Sequence, residues 1–170
     1  MTGGATRLRA LLEELGWRIH QEPGTRLLSW AYRGEHGEWF GQSWWLEDAE
    51  QLLMYSICPL AVPAAARGEV ERYVGLVNRE LVVGSFEVED DGQLRFRTSL
   101  GVAEEELTLS LVRRALEANV ATMDAYLPGI VRLVVGGHAA PDALAAVHAR
   151  PFPAGAQGRA QKGADGAARI

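Results

Sequence analysis

Gly84-Ser-Phe-Glu-Val-Glu-Asp-Asp-Gly-Gln-Leu-Arg-Phe-Arg-Thr98 is the stretch whose reading decides the fold. It is a β-hairpin, and its register follows from the turn. A two-residue loop at Asp91-Gly92 would set Phe86 and Val88 opposite arginines. A three-residue loop, Asp90 to Gly92 with Gly92 in the left-handed conformation, pairs Phe86 with Phe96 and Val88 with Leu94. The same register sets Glu87 opposite Arg95 on the wet face. The second register keeps one face dry, and it is the one expected.

Downstream of the hairpin lies a very long amphipathic helix. Glu104, Glu105 and Glu106 are expected at its start, where the macrodipole favours negative charge. Leu109, Val112, Leu116, Val120, Met123 and Leu127 then step by three or four residues. A second flank (Leu111, Ala115, Ala118, Thr122, Tyr126) is also fairly apolar, so the helix should be covered on two sides. Pro128-Gly129 should kink or restart it, and Gly136-Gly137 should stop it. A short helix over 141–149 follows.

Upstream, Thr6 to Leu15 reads as a helix stopped by Gly16. Strands are expected over Trp17–Gln21, Arg26–Arg33, Glu38–Leu46 and Gln51–Cys58, the last ended by Pro59. Closure of the Gly34–Gly37 loop sets Arg33 opposite Glu38 and Tyr32 opposite Trp39. A helix opening at Pro63 runs to about Leu81, with Val70, Tyr73, Val74 and Val77 along one side. Strands joined by tight turns pair antiparallel and gather helices on one face, so the fold class is α+β, a two-layer sandwich. Residues 1–140 form the folded domain, and the Ala/Gly/Arg-rich segment 150–170 reads as a disordered tail.

Bulk composition narrows the function. The chain has 170 residues, 48% of them hydrophobic and 23% charged, which suits a single domain with a proper core. No apolar run approaches the ~20 residues that span a bilayer. The N-terminal residues lack a signal-peptide core, and Cys58 is the single cysteine. Both features point to the cytoplasm. Residues 1–139 carry 13 Arg and no Lys against 20 acidic groups. Such a body repels phosphate, so direct nucleic-acid binding by it is not expected. The tail is weakly basic.

No reaction centre is legible. Cys58 has no histidine near it in sequence, as a thiol nucleophile requires. His20, His36, His138 and His148 lack metal-ligand spacing. His36 at a hairpin tip and His138 after a helix stop read as surface residues. No glycine loop matches a phosphate cradle. Neither a metal nor another cofactor is expected, and an enzyme is not the favoured reading. A polar pocket near Asp124 and Tyr126, joined by Asn119 and Asn78, would be the alternative: a small-ligand sensor or enzyme. Five tryptophans stand out. A period-two strand cannot turn both Trp44 and Trp45 inward. Trp39, Trp44 and Trp45 are therefore the candidate protein-binding residues, while Leu111, Ala115, Ala118 and Thr122 are the candidate dimer contacts.

Several short blocks carry a family resemblance. Tyr32-Arg-Gly-Glu-His-Gly-Glu-Trp39, Tyr55-Ser-Ile-Cys-Pro-Leu-Ala-Val-Pro63, Leu76-Val-Asn78, Gly84-Ser-Phe-Glu87, Arg97-Thr-Ser99 and Asn119-Val-Ala-Thr-Met-Asp-Ala-Tyr-Leu-Pro128 occur in this order. Over roughly residues 5–140 the chain resembles the YbjN family, described as bacterial sensory transduction regulators. The resemblance implies the fold of type III secretion chaperones, which commonly form homodimers and bind other proteins. It implies no catalytic residues and only a loose link to stress and regulatory roles. The expectation is a non-enzymatic homodimer that binds a client protein. The client would add a strand to a sheet edge or lie in an apolar groove. Charge alone suggests a basic client, including one that handles nucleic acid.

Overall fold

A computed structural model describes residues 3–21 and 23–151. The elements run α1 (Gly3–Glu14), β1 (His20–Gln21), β2 (Leu28–Arg33), β3 (Glu38–Leu46), β4 (Gln51–Ala61), α2 (Arg67–Asn78), β5 (Ser85–Val88), β6 (Gln93–Gly101), α3 (Leu109–Val134) and α4 (Ala140–His148). The six strands form one antiparallel sheet in the order β1-β2-β3-β4-β6-β5. The helices lie on one face, with α3 against β4 and β6, α1 against β3, and α4 against α2 and α3. The chain is thus an α+β two-layer sandwich.

The hairpin adopts the expected register. Phe86 pairs with Phe96, Glu87 with Arg95 and Val88 with Leu94, and Gly92 sits at φ +87°. The β2–β3 loop likewise pairs Arg33 with Glu38 and Tyr32 with Trp39. Alternation sorts each strand cleanly. Trp39, Gly41, Ser43 and Trp45 of β3 are buried towards the helices, while Phe40, Gln42 and Trp44 face outward. Facing them across the core, Val112, Leu116, Val120, Met123 and Leu127 of α3 are buried.

Several elements depart from the sequence reading. Glu104–Glu106 form a separate 3-10 turn. The helix begins after Thr108, whose hydroxyl accepts from Leu111 N, so the first turn is capped by a side chain and holds no acid. Pro128 does not restart α3, which runs through it as one element. The second flank of α3 is covered only in part: Thr122 and Tyr126 are buried, whereas Leu111, Ala115 and Ala118 stay part-exposed. The strand expected over 17–21 shrinks to His20–Gln21. Instead of pairing, Trp17 stacks on Tyr32 (5.7 Å) and meets Trp30 edge-on (5.2 Å), so aromatic packing fixes this segment. The helix expected to reach Leu81 ends at Asn78. The short C-terminal helix forms, spanning Ala140–His148. Most of the tail, from residue 152, lies outside the described residues.

Asn78 ends α2 against the outer edge of β5. Its side-chain nitrogen donates to Phe86 O (3.0 Å), and its oxygen accepts from Phe86 N (2.8 Å). A side-chain amide thus takes the two backbone groups that a further strand would use.

Candidate functional site

The site begins with a proline. β4 was expected to stop at Pro59, yet it continues to Ala61. Proline brings no N–H to a ladder, so the strand must pass it without pairing there. Its pairing with β3 ends at Phe40 opposite Ile57. Its register with β6 shifts between Ile57 and Ala61. β3 and β4 therefore part over Glu38–Trp39 and Cys58–Pro59, and a slot of about 490 Å³ opens between them. Phe40, Ile57 and Pro59 wall it, and Arg33 and Glu38 lie at its rim, joined as an ion pair (2.5 Å).

The slot opens onto the outer face of the sheet, which none of the described helices covers. Phe40 is 71% exposed there. Cross-strand pairing sets Phe40 beside Ile57, Gln42 beside Tyr55 and Trp44 beside Leu53. Trp44 meets Tyr55 edge-on at 5.2 Å. The far side of the band is charged. Arg95 lies over the Tyr55 ring (4.6 Å), and Glu87 takes both Arg95 (3.1 Å) and Arg97 (3.0 Å). An apolar strip bordered by paired charges can bury an apolar segment and orient its flanks.

Of the three tryptophans proposed as contacts, only Trp44 lies on this face. Trp39 and Trp45 are 3% exposed and belong to the core, because positions 39, 41, 43 and 45 share the inward side of β3. Among the helix residues proposed as dimer contacts, Leu111, Ala115 and Ala118 are part-exposed. Thr122 is buried, and its hydroxyl donates to Ala118 O (2.7 Å). The sequence missed Phe40 and Ile57. Their signal was present, since both alternate out of phase with Trp39 and Cys58.

Among the described residues, the four named for the alternative polar pocket make separate contacts. Asn119 is buried between α3 and the sheet. It accepts from Ser56 Oγ (2.7 Å), and its amide nitrogen faces Met54 O (3.2 Å), Phe96 O (3.3 Å) and Thr98 Oγ1 (3.2 Å). Ser56 in turn accepts from Trp39 Nε1 (2.9 Å). Asn78 holds the β5 edge. Tyr126 accepts through its carbonyl from the Tyr73 hydroxyl (3.2 Å). Asp124 clasps the β2–β3 loop, taking Glu35 N on Oδ2 (3.1 Å) and His36 N on Oδ1 (2.9 Å). His36 is not the free surface residue its hairpin position suggested, since its side chain is only 21% exposed.

Cys58 is buried at the slot wall. Burial pushes its thiol up to about 11, partly offset by a backbone hydrogen bond at Leu60. A thiol held that far from ionisation is a poor nucleophile. Burial likewise raises the Tyr73 phenol, with smaller contributions from Tyr126 and Glu80. Among the described residues no helix is long and apolar enough to cross a membrane.

These features define a small α+β protein with an exposed apolar strip on its sheet. Residues 5–132 match the family described as YbjN, "Putative bacterial sensory transduction regulator", and the chain belongs to that family. Among solved structures it is similar to "YbjN, a putative transcription regulator from E. coli". The two share 16% identity and a TM-score of 0.50, over 66% of this chain and 83% of the other. At that identity the likeness concerns the fold. No curated protein matches the chain.

Proposed function

We propose that this protein is a non-enzymatic regulator that binds a client protein on the outer face of its sheet and works as a cytoplasmic homodimer. The observation that carries the reading is the exposed Phe40, beside Ile57 and Trp44 and above the slot between β3 and β4. Aromatic residues in a partly enclosed apolar strip are the usual anchors of protein recognition. The family's description as a regulator agrees with such a role. The client segment this surface suits is extended, with an apolar side chain for the slot and basic flanks drawn by the chain's net charge of −5. The part-exposed flank of α3 at Leu111, Ala115 and Ala118 is the surface proposed for the dimer.

The test is a tagged full-length chain purified gently from its own cells, beside Phe40→Asp. Wild type should retain one stoichiometric partner that Phe40→Asp loses while keeping its melting temperature. Equal partner sets for both proteins would refute this face as the docking site. Mass photometry of the same samples should show a dimer, and Ala115→Arg should return it to a monomer.

A further inference from the structure

We infer that Glu35, His36 and Asp124 form a binding site for a divalent transition metal, with Zn²⁺ the best fit. Glu35 and His36 lie at the tip of the β2–β3 hairpin, and Asp124, 89 and 88 positions further on, lies in the middle of α3. Each offers one ligand atom, and these atoms all lie within 4.8 Å of one another. The tip is built around the carboxylate. A Cβ at Gly34 would overlap Asp124 Oδ1, so glycine lets the backbone close on it. Backbone N–H groups at 35 and 36 fix one lone pair on each Asp124 oxygen and leave the other pair free. Outer hydrogen bonds of this kind orient a metal ligand.

The second observation is an orphan. His36 Nδ1 is buried and makes no hydrogen bond. It stands 3.4 Å from Asp124 Oδ2, within ion-pair reach but outside hydrogen-bond geometry. Buried polar atoms without partners are rare, and an ion is one of the few explanations for them. The spacing also selects the ion. An ion at about 2.05 Å from two ligand atoms 3.4 Å apart subtends about 110°, the tetrahedral angle that Zn²⁺ adopts. Octahedral Mg²⁺ at about 2.1 Å would want its ligands about 3.0 Å apart.

Charge and access agree with this assignment. Two carboxylates and a neutral imidazole balance a divalent cation. Glu35 is exposed, so its carboxylate can swing the remaining distance. His36 also lines a cleft of about 510 Å³ with Pro128, Val131, Arg132 and His138. The cleft reaches the His36 ring, and a water would supply the fourth ligand of a tetrahedral ion. Arg132 and Arg150 on the cleft wall oppose a cation, and the two carboxylates match those two charges. A filled site would pin the hairpin whose Arg33 and Glu38 border the slot.

The experiment is isothermal titration of chelator-treated full-length protein with Zn²⁺ and separately with Mg²⁺, with no client present. Zn²⁺ should bind at one site per chain and Mg²⁺ should not compete. His36→Gln and Glu35→Gln change loop side chains outside the core, and circular dichroism would check that both still fold. Loss of a direct ligand should weaken Zn²⁺ by at least the 10–100-fold that outer-shell changes typically cost. Co²⁺ in place of Zn²⁺ should give the intense visible bands of a tetrahedral site. Absence of saturable Zn²⁺ binding would overturn the inference, as would unchanged affinity in both variants. So would a His36 ring that stays a protonated imidazolium in nuclear magnetic resonance spectra recorded with Zn²⁺ in excess.

Discussion

Asn119→Ala removes the amide that ties the middle of α3 to two strands at once. The side chain accepts one hydrogen bond, from Ser56, and offers two protons to three acceptors on Met54, Phe96 and Thr98. Three bonds at about 1 kcal/mol net each amount to about 3 kcal/mol. Truncation also leaves the buried Ser56 hydroxyl without its acceptor, and leaving a buried donor unsatisfied costs a further 1–3 kcal/mol or so. The expected loss is therefore about 4–6 kcal/mol, much of the ~5–15 kcal/mol that holds a domain of this kind together. Urea unfolding followed by tryptophan fluorescence would measure it, with a conserved m-value as the check on two-state behaviour. Trp39 is a built-in reporter, because its indole N–H is one link upstream through Ser56. A loss below about 1 kcal/mol would refute the reasoning, since it would mean that the amide's hydrogen bonds contribute almost nothing net.

Further outcomes follow from glycines and from the two raised pKa values. Gly41→Ala should destabilise by about 1–3 kcal/mol, because a Cβ there overlaps the buried Trp30 ring, itself held by Ser43. Gly75→Ala should instead stabilise by about 0.5–1 kcal/mol, since it lies exposed in α2 with nothing near its Cβ; thermal melts of both variants decide. Alkali should unfold the protein progressively. Cys58 and Tyr73 hold their protons more tightly folded than unfolded, so the contribution of Cys58 is complete below about pH 9 and falls as pH rises through about 11, and that of Tyr73 begins to fall only above about pH 10. Cys58→Ala should flatten the stability profile between pH 9 and 11, and a profile unchanged by that substitution would contradict the assignment. Native Cys58 should also react far more slowly with a thiol reagent at pH 8 than the urea-unfolded chain does.

Local physics made much of the fold legible. The Asp90–Gly92 turn, the Arg33–Glu38 pairing and the inward stripe of α3 each depend on neighbours in sequence, and each is present as read. The misreadings share a cause. Trp17 gave up strand pairing to stack on Tyr32, and the glutamates at 104–106 yielded the helix start to a Thr108 cap. In both cases a specific tertiary or side-chain partner outweighed propensity or charge. The candidate sites were harder to see. The slot requires the parting of β3 and β4, which Pro59 hints at but does not dictate. Asp124 meets His36 across 88 residues, a juxtaposition that no spacing rule reveals. Aromatic excess suggests surface contacts for Trp39 and Trp45, whereas strand parity consigns them to the core.

Asn78 has a consequence for assembly. A sheet with two free edges can recruit copies at both and grow without limit, which is how soluble proteins become fibres. Here one end is closed at Phe86 by an amide from the chain itself, leaving the β1–β2 side as the end available for recruitment. Strand-mediated association with a single usable end terminates after two molecules. Asn78 thereby caps one edge of the sheet, and a chain that lost it would present unpaired backbone groups at Phe86 as well as at the β1–β2 end.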